Sequence, residues 1–441
     1  MHVLRAFFLS AALWVAATHA QTVGEVEFSR GVGFAQSAGQ APRVLGKGLS
    51  LKEGDHLTTS EGSSAIIKLQ DGTKMTIRPN SDLVVQQFQF KEGSQDNSMV
   101  MQLLRGGFRA ITGLISKGSP NAAKVQTATA TIGIRGTDFD ARLCAKDCKA
   151  ESDRVSDTAR PNAILASAKL VDAVGAVSAR DLHGNRRAMV TGGSVYPGET
   201  VETAAGARTL LVFRDDSRLT LGPNAQFRVD NFVFDEKNAS EGRFLVTLLK
   251  GSLRALTGLI GKANARNVGF ATPTATIGIR GTGLDLDCSG GASCAFFTWL
   301  GTIEITPKGQ TALQVLQAGQ GLFIGPSGIR PLNTPTLDNL PRPDQVPVNL
   351  QQLFGVGQPN VEEEGLFVFV RDGHIEVVSS KETLHLGRGE TGFALPDGST
   401  GRPGNLPLFI QMDRLPLPNN PNPGLSSLLG DINATSGQQC R

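Results

Sequence analysis

Thr129-Ala130-Thr131-Ile132-Gly133-Ile134-Arg135-Gly136-Thr137 is the stretch whose reading decides the fold, because it occurs twice. It returns as Thr274 to Thr282, and Ala130 to Thr137 recur unchanged as Ala275 to Thr282. Alternation of period two puts Ile132 and Ile134 on one face of a strand and Thr131, Gly133 and Arg135 on the other. Gly136 then allows the backbone to bend or bulge. Such a stretch reads as the hinge of a repeated β unit, and no catalytic constellation surrounds it.

The repeat extends well beyond the motif. Gly31 to Phe90 aligns without gaps on Gly175 to Phe234, and Leu104 to Ile115 aligns on Leu249 to Ile260 after one added residue. Self-similarity on this scale makes each copy one structural unit. Within a unit the pattern is β. Ala65, Ile67 and Leu69 alternate with polar residues, Asp71-Gly72 follows, and Met75 and Ile77 alternate again, which is a hairpin signal. The second copy has Asp215-Asp216 at that turn, where Asp tolerates a left-handed conformation less readily than Gly. The glycines at 106, 107 and 113 argue against a helix over Leu103–Ile115 and favour strands joined by a tight turn. Arg105, Arg109, Lys250 and Arg254 are read as a solvated face.

After the second motif the chain continues into a hairpin, Phe296 to Phe323. Gly365 to Phe393 resembles it: Gly373-His374-Ile375-Glu376-Val377 stands where Gly301-Thr302-Ile303-Glu304-Ile305 did. Unit one has no such hairpin directly after its motif. The spare one therefore either folds back to complete unit one or docks on unit two, since an open sheet edge needs cover. The expected organisation is a signal peptide (1–20), a first β domain (21–150), a linker (151–167), a second β domain (168–325), a proline-rich linker (326–360), a hairpin segment (361–396) and a disordered tail (397–441). The fold class is all-β: two tandem, solenoid-like, twisted domains of short strands.

Composition sets the compartment and removes several functions. Of 441 residues, 40% are hydrophobic and 19% charged, and the net charge of +3 gives no electrostatic case for nucleic acid. Arg5, the apolar run Ala6 to Ala17 and Thr18-His19-Ala20 make a secretory signal with a cleavage site before Gln21. No later run is long enough for a membrane span. Export makes disulfides the default for the local pairs Cys144/Cys148 and Cys288/Cys294, since neither has a nearby histidine and two sulfurs are half a zinc site. Cys440 is left over.

These residues carry a family resemblance. Gly54-Asp55, Thr58-Thr59, Asp71-Gly72, Pro79, Leu104-x-Gly106 and the closing Thr127-x-x-Ala130 to Phe139 follow in the order of the FecR domain. The chain resembles that family over about 45–140 and 190–325. The resemblance implies an all-β stack and a periplasmic or cell-surface module that engages another envelope component. Transmembrane FecR-type regulators carry a cytoplasmic anti-sigma segment and one membrane helix. The signal peptide, the tandem domains and the lack of a later helix mean that sigma regulation is not expected to carry over.

The motif residues expected to be structural or interacting are Arg135, Gly136, Thr137, Arg280, Gly281 and Thr282, with Asp71 and Asp215 at the hairpin turns. Arg135 and Arg280 could read a carboxylate or phosphate, but an ion pair within the unit is preferred. Asp140 and Asp285 correspond between copies. They are read as solvated strand ends or partners of those arginines, with a hydrolase through either Asp the least favoured function. His374 and His385 lie on facing runs and are read as a surface cross-strand contact, with no metal and no cofactor expected. The expected function is a non-catalytic exported module binding an envelope protein or cell-surface polymer, in the periplasm, at the cell surface or secreted. The alternative is a structural cell-surface assembly protein; oligomeric state stays open.

Overall fold

A computed structural model of the protein describes residues 21–118, 122–334, 337, 340–357, 364–410 and 417–419. The signal segment and Cys440 lie outside the described residues. The structure is all-β. Among the described residues the strands form two large mixed sheets of 15 strands each, and the helices are short.

The two sheets have the same strand order, position for position. In each, a short edge hairpin leads through two strands to a long central strand, Ser98–Ile111 in the first and Arg243–Leu256 in the second. A short parallel neighbour follows, then the strand that carries the motif, Thr131–Ala145 or Ala275–Cys288. The central strand was expected to be two strands with a turn between. It is instead one strand bent at a left-handed glycine, Gly106 (φ +76°) or Gly251 (φ +84°). A Cβ on Gly106 would stand 2.6 Å from Ser81 Cα, so the bend is a close backbone approach that only glycine allows.

The sheets differ in where the next strand comes from. In the second it is Cys294–Pro307, immediately downstream of the motif strand. In the first it is Glu364–Val378, from the far side of the second unit. The register is the same: Ile132 faces Val377 and Ile134 faces Ile375, as Ile277 faces Ile305 and Ile279 faces Ile303. The spare hairpin thus folds back, and residues 364–401 stand in the first sheet. Leu366, Val368, Val370, Ile375, Val377, Leu384 and Leu386 enter the first core, mixed with Val26, Ile67, Phe108 and Ile132. The second core is separate and holds the matching Phe296, Ile303, Ile305, Leu316 and Leu322.

The connections are packed. Cys148–Ser152 is one helical turn, and its Glu151 accepts from Arg142 Nε (3.2 Å) and Nη2 (3.0 Å). Asn162 is buried and bonds Thr391 and Pro403. The proline-rich stretch begins with an edge strand, Gly328–Leu332, and runs on along the second sheet. Leu340 O accepts from Arg254 Nη1 at 2.6 Å, and Arg342 lies over the Trp299 ring at 4.3 Å. Residues 397–410, expected in a disordered tail, are ordered. Leu406, Phe409 and Ile410 are buried with Phe367 and Phe393 around the Cys144–Cys148 disulfide. Residues 411–416 and 420–441 lie outside the described residues. Cys288–Cys294 is also a disulfide, in the second core.

Candidate functional site

The motif makes a bulge. Gly136 (φ +56°) and Gly281 (φ +60°) are left-handed, and the pairing to the closing strand shifts there in both units. The closing strand answers with its own left-handed glycine, Gly373 or Gly301. A Cβ on either would come within 2.4 Å of Gly136 O or 2.1 Å of Gly281 O, so two backbones touch where no side chain fits.

The motif threonine locks the bulge. Thr137 N–H donates to Thr112 Oγ1 (2.7 Å), Thr112 N–H and Oγ1 both donate to Thr137 O (3.0 Å), and Thr137 Oγ1 donates to His374 O (3.0 Å). Thr282 repeats this with Thr257 (3.1, 3.1 and 3.2 Å) and with Thr302 O (3.0 Å). Two hydroxyls therefore share the closure: that of Thr137 or Thr282 satisfies a carbonyl of the closing strand, and that of Thr112 or Thr257 satisfies the motif threonine's own backbone groups, which would otherwise cost free energy.

The motif arginines reach across to the closing strand. Arg135 Nη2 meets Glu376 Oε1 at 2.9 Å, and Arg280 Nη2 meets Glu304 Oε1 at 2.6 Å. Arg135 is mostly covered, at 18% exposed, whereas Arg280 is 70% exposed. Asp71 and Asp215 are buried turn anchors. Thr73 N–H and Oγ1 donate to the Asp71 carboxylate (3.0 and 2.9 Å), and Ser217 does the same for Asp215 (3.0 and 2.9 Å). Burial pushes the Asp215 carboxyl above its ordinary range. Their carbonyls accept from Leu114 and Leu259, which fixes the short helix after each central strand.

Asp140 and Asp285 are neither solvated strand ends nor partners of the motif arginines. Asp285, fully buried, takes a two-point contact from Arg254 (2.8 and 2.7 Å) and Trp299 Nε1 at 3.1 Å. Asp140 pairs with Arg371 of the returning strand at 2.7 Å. Its carboxyl is raised by burial against the pull of that arginine. Arg254, expected in a solvated face, is 7% exposed because the proline-rich connection covers it.

A second cluster lies where the returning hairpin meets the second sheet. Lys169 Nζ and Arg402 Nε both bind Glu390 Oε2 (2.9 and 2.8 Å), and all three side chains are essentially inaccessible. Lys169 Nζ and Arg402 Nη2 also donate to His385 O (3.0 and 2.6 Å). Burial pushes Lys169 down to about 8, against the pull of Glu390. Burial acts upward on Glu390, but the two cations outweigh it and hold the carboxyl below its usual range. His385 Nδ1 lies 3.4 Å from His374 Nε2, with the rings stacked at 5.4 Å. The pair approaches as expected but is not on the surface, because Gly192, in a turn of the second unit, covers the His385 ring: a Cβ there would be 2.0 Å from it. Burial, then the neighbouring cations, lowers His385 to about 4; burial and then His385 hold His374 well below its ordinary value. A cavity of about 240 Å³ opens beside this cluster, lined by Lys169, His385, Arg402, Gln352 and Thr383 among others. Sequence reading missed Lys169, Glu390 and Arg402. The available signal was one charge on a strand, Lys169, and two in turn-like stretches, Glu390 and Arg402, which identifies no partner at such separation.

Two tandem all-β units of identical strand order, each closed by an Arg-Gly-Thr bulge with a buried threonine, define the class. The family described as FecR protein matches residues 55–154 and 199–304, so the chain carries two FecR domains in tandem. The FecR-domain match supports a non-catalytic, signal- or envelope-related role. The same identity supports a location outside the cytoplasm. Among curated proteins, none matches significantly. Two crystal structures of a protein assigned as an anti-sigma factor from Parabacteroides distasonis are similar in part. One is 14% identical with a TM-score of 0.25, covering 30% of this chain and 59% of its own; the other is 11% identical with a TM-score of 0.25, covering 43% and 98%. Among the described residues, no helix is long and apolar enough to cross a membrane, which says nothing of a β-barrel.

Proposed function

We propose that the protein is an exported interaction module whose two FecR domains work as one body and bind an envelope protein or cell-surface polymer. The observation that carries this reading is the returning hairpin. It completes the first sheet and at the same time seals against the second through Lys169–Glu390–Arg402, with Asn162 of the connecting segment bonded to it as well. A chain that only needed two beads would not route one domain's closing strand past the other. The reading takes the domains as 21–150 with 364–410, and 168–332. The motif residues Arg135, Gly136, Thr137, Arg280, Gly281 and Thr282 act as closures, and Asp71 and Asp215 as turn anchors. Binding then falls to sheet edges and outer faces, where an extended segment can add to an edge.

The hydrolase reading loses its support, because Asp140 and Asp285 are each held by an arginine. The test is sedimentation of the mature, oxidised protein alone and with fractionated envelope extract. The proposal expects a monomer that shifts to a defined complex with one fraction. Self-association into concentration-dependent polymers, with no shift on adding extract, would favour the surface-assembly reading instead.

A further inference from the structure

His374 and Glu376 on the closing strand and His385 on its neighbour each offer one ligand atom, all within 4.8 Å of one another. His374 Nε2 and His385 Nδ1 are 3.4 Å apart, and His385 Nδ1 is 3.9 Å from Glu376 Oε1. Two imidazole nitrogens bound to one zinc ion at about 2.0–2.1 Å and a tetrahedral angle lie roughly 3.3–3.4 Å apart. The nitrogens are therefore spaced as two ligands of one ion. As a hydrogen bond the same distance is long.

The second unit supplies an internal control. At the matching register stand Thr302, Glu304 and Val315. The glutamate is shared and salt-bridged to the motif arginine in both units, so it belongs to the closing device. The two imidazoles do not: the same scaffold closes with a threonine and a valine in their places. Something other than folding the unit is the use of the histidines.

We propose that His374, His385 and Glu376 form a three-ligand site for a divalent first-row cation of the zinc, cobalt or nickel kind. Two nitrogens and one carboxylate suit such ions, whereas calcium and magnesium take oxygen ligands. Three protein ligands leave a fourth position, and the cavity lined by His385 gives the ion a way in. Glu376 and His385 keep 16% and 21% of their side chains exposed, so the ligands are reachable. Arg135 holds Glu376 Oε1 and acts as a positioning residue behind the ligand. Arg135, Lys169, Arg187 and Arg402 face the cluster, against Glu376 and Glu390. That excess of positive charge sets the affinity below that of a closed site with four protein ligands.

The test uses tag-free mature protein with its disulfides oxidised and Cys440→Ser to remove the remaining thiol. Cobalt(II) is titrated while visible absorption is recorded, and zinc(II) is then added. The expected result is a low-symmetry cobalt spectrum that saturates at one equivalent and is abolished by zinc. In the His374→Thr/His385→Val variant, which carries the second unit's residues, affinity should fall by more than the roughly 10–100-fold that loss of an outer-shell partner costs. Should that variant not fold, imidazole nitrogen resonances of the parent protein give the answer: His374 and His385 shift together at one equivalent of zinc, while His56 and His183 do not. No saturable cobalt signal, a signal that persists in a folded double variant, or a shift at His56 or His183 in place of the pair would overturn the assignment.

Discussion

The two FecR units of this chain are closed by the same device and fed from different places. In unit two the closing strand starts at Cys294, a short disulfide-linked turn after its partner ends at Cys288. In unit one the partner ends at Ala145 and the closing strand starts at Glu364. For a flexible chain, each doubling of a loop costs about 0.6 kcal/mol, and the step from a turn to some 220 residues is about five doublings, near 3 kcal/mol. Prior folding of unit two shortens the effective loop and lowers that cost. The comparison teaches that the Arg-Gly-Thr bulge is a socket for a strand and is indifferent to the strand's position in the sequence. It also orders the events: unit two can close locally, and unit one waits for the end of the chain.

The sharpest way to break the comparison is to remove the returning segment. Deleting 364–410 takes seven aliphatic side chains out of the first core, each worth roughly 1.5–3 kcal/mol, against a domain stability of about 5–15 kcal/mol. Unit one should unfold and unit two should stay folded, except for its exposed seam. Scanning calorimetry would show one transition lost, and proteolysis would degrade 21–150 while sparing 168–332. Loss of both units, or of neither, would contradict the separate cores.

The next contrast concerns the arginine on each central strand. Arg254 is buried against Asp285, so Arg254→Ala leaves a buried carboxylate without its partner and should cost about 3–5 kcal/mol. Arg109 keeps 16% exposure, and its partner Asp138 keeps 24%. Arg109→Ala should cost about 1 kcal/mol or less. Urea melts of the two variants that coincide would erase this difference between units.

The motif threonines should behave alike. Thr137→Val and Thr282→Val keep the shape but remove the hydroxyl that donates to the closing strand, at His374 O or Thr302 O, at an expected cost of about 1–3 kcal/mol each. Each should lower the midpoint of its own unit alone. The smallest effect is expected at the motif arginines, and it is unequal. Arg280→Ala, 70% exposed, should change stability by under about 0.5 kcal/mol, while Arg135→Ala, 18% exposed, should cost nearer 1 kcal/mol. Equal effects would mean that the deeper cover of Arg135 contributes nothing.

Much of the β organisation was legible because it is local. Alternation around Ile132 and Ile134, Asp71-Gly72 and the paired cysteines each depend on neighbours in sequence. The likeness of 373–377 to 301–305 even made fold-back a named option. It could not decide between that and docking on unit two, because no local pattern encodes a pairing between Ala145 and Glu364. Burial of charge was misread for the same reason. Arg254 looks solvated on its own strand and is covered by Leu340 and Arg342 from a proline-rich stretch that carries no periodic signal. His374 and His385 were placed near one another by their hairpin, but Gly192, from another unit, is what takes them off the surface. Phe409 and Ile410 were hidden by prolines and asparagines around them, and their pocket is built partly by the first disulfide.

The most direct test is the pairing itself. Ala141 and Val368 face one another across the motif and closing strands. With Cys440→Ser in place, Ala141→Cys/Val368→Cys should form a disulfide within one chain during oxidative folding, and the protein should remain a monomer with both units folded. A pair that stays reduced while the protein is folded, or that links only between chains, would contradict the claim that the end of the chain closes its beginning.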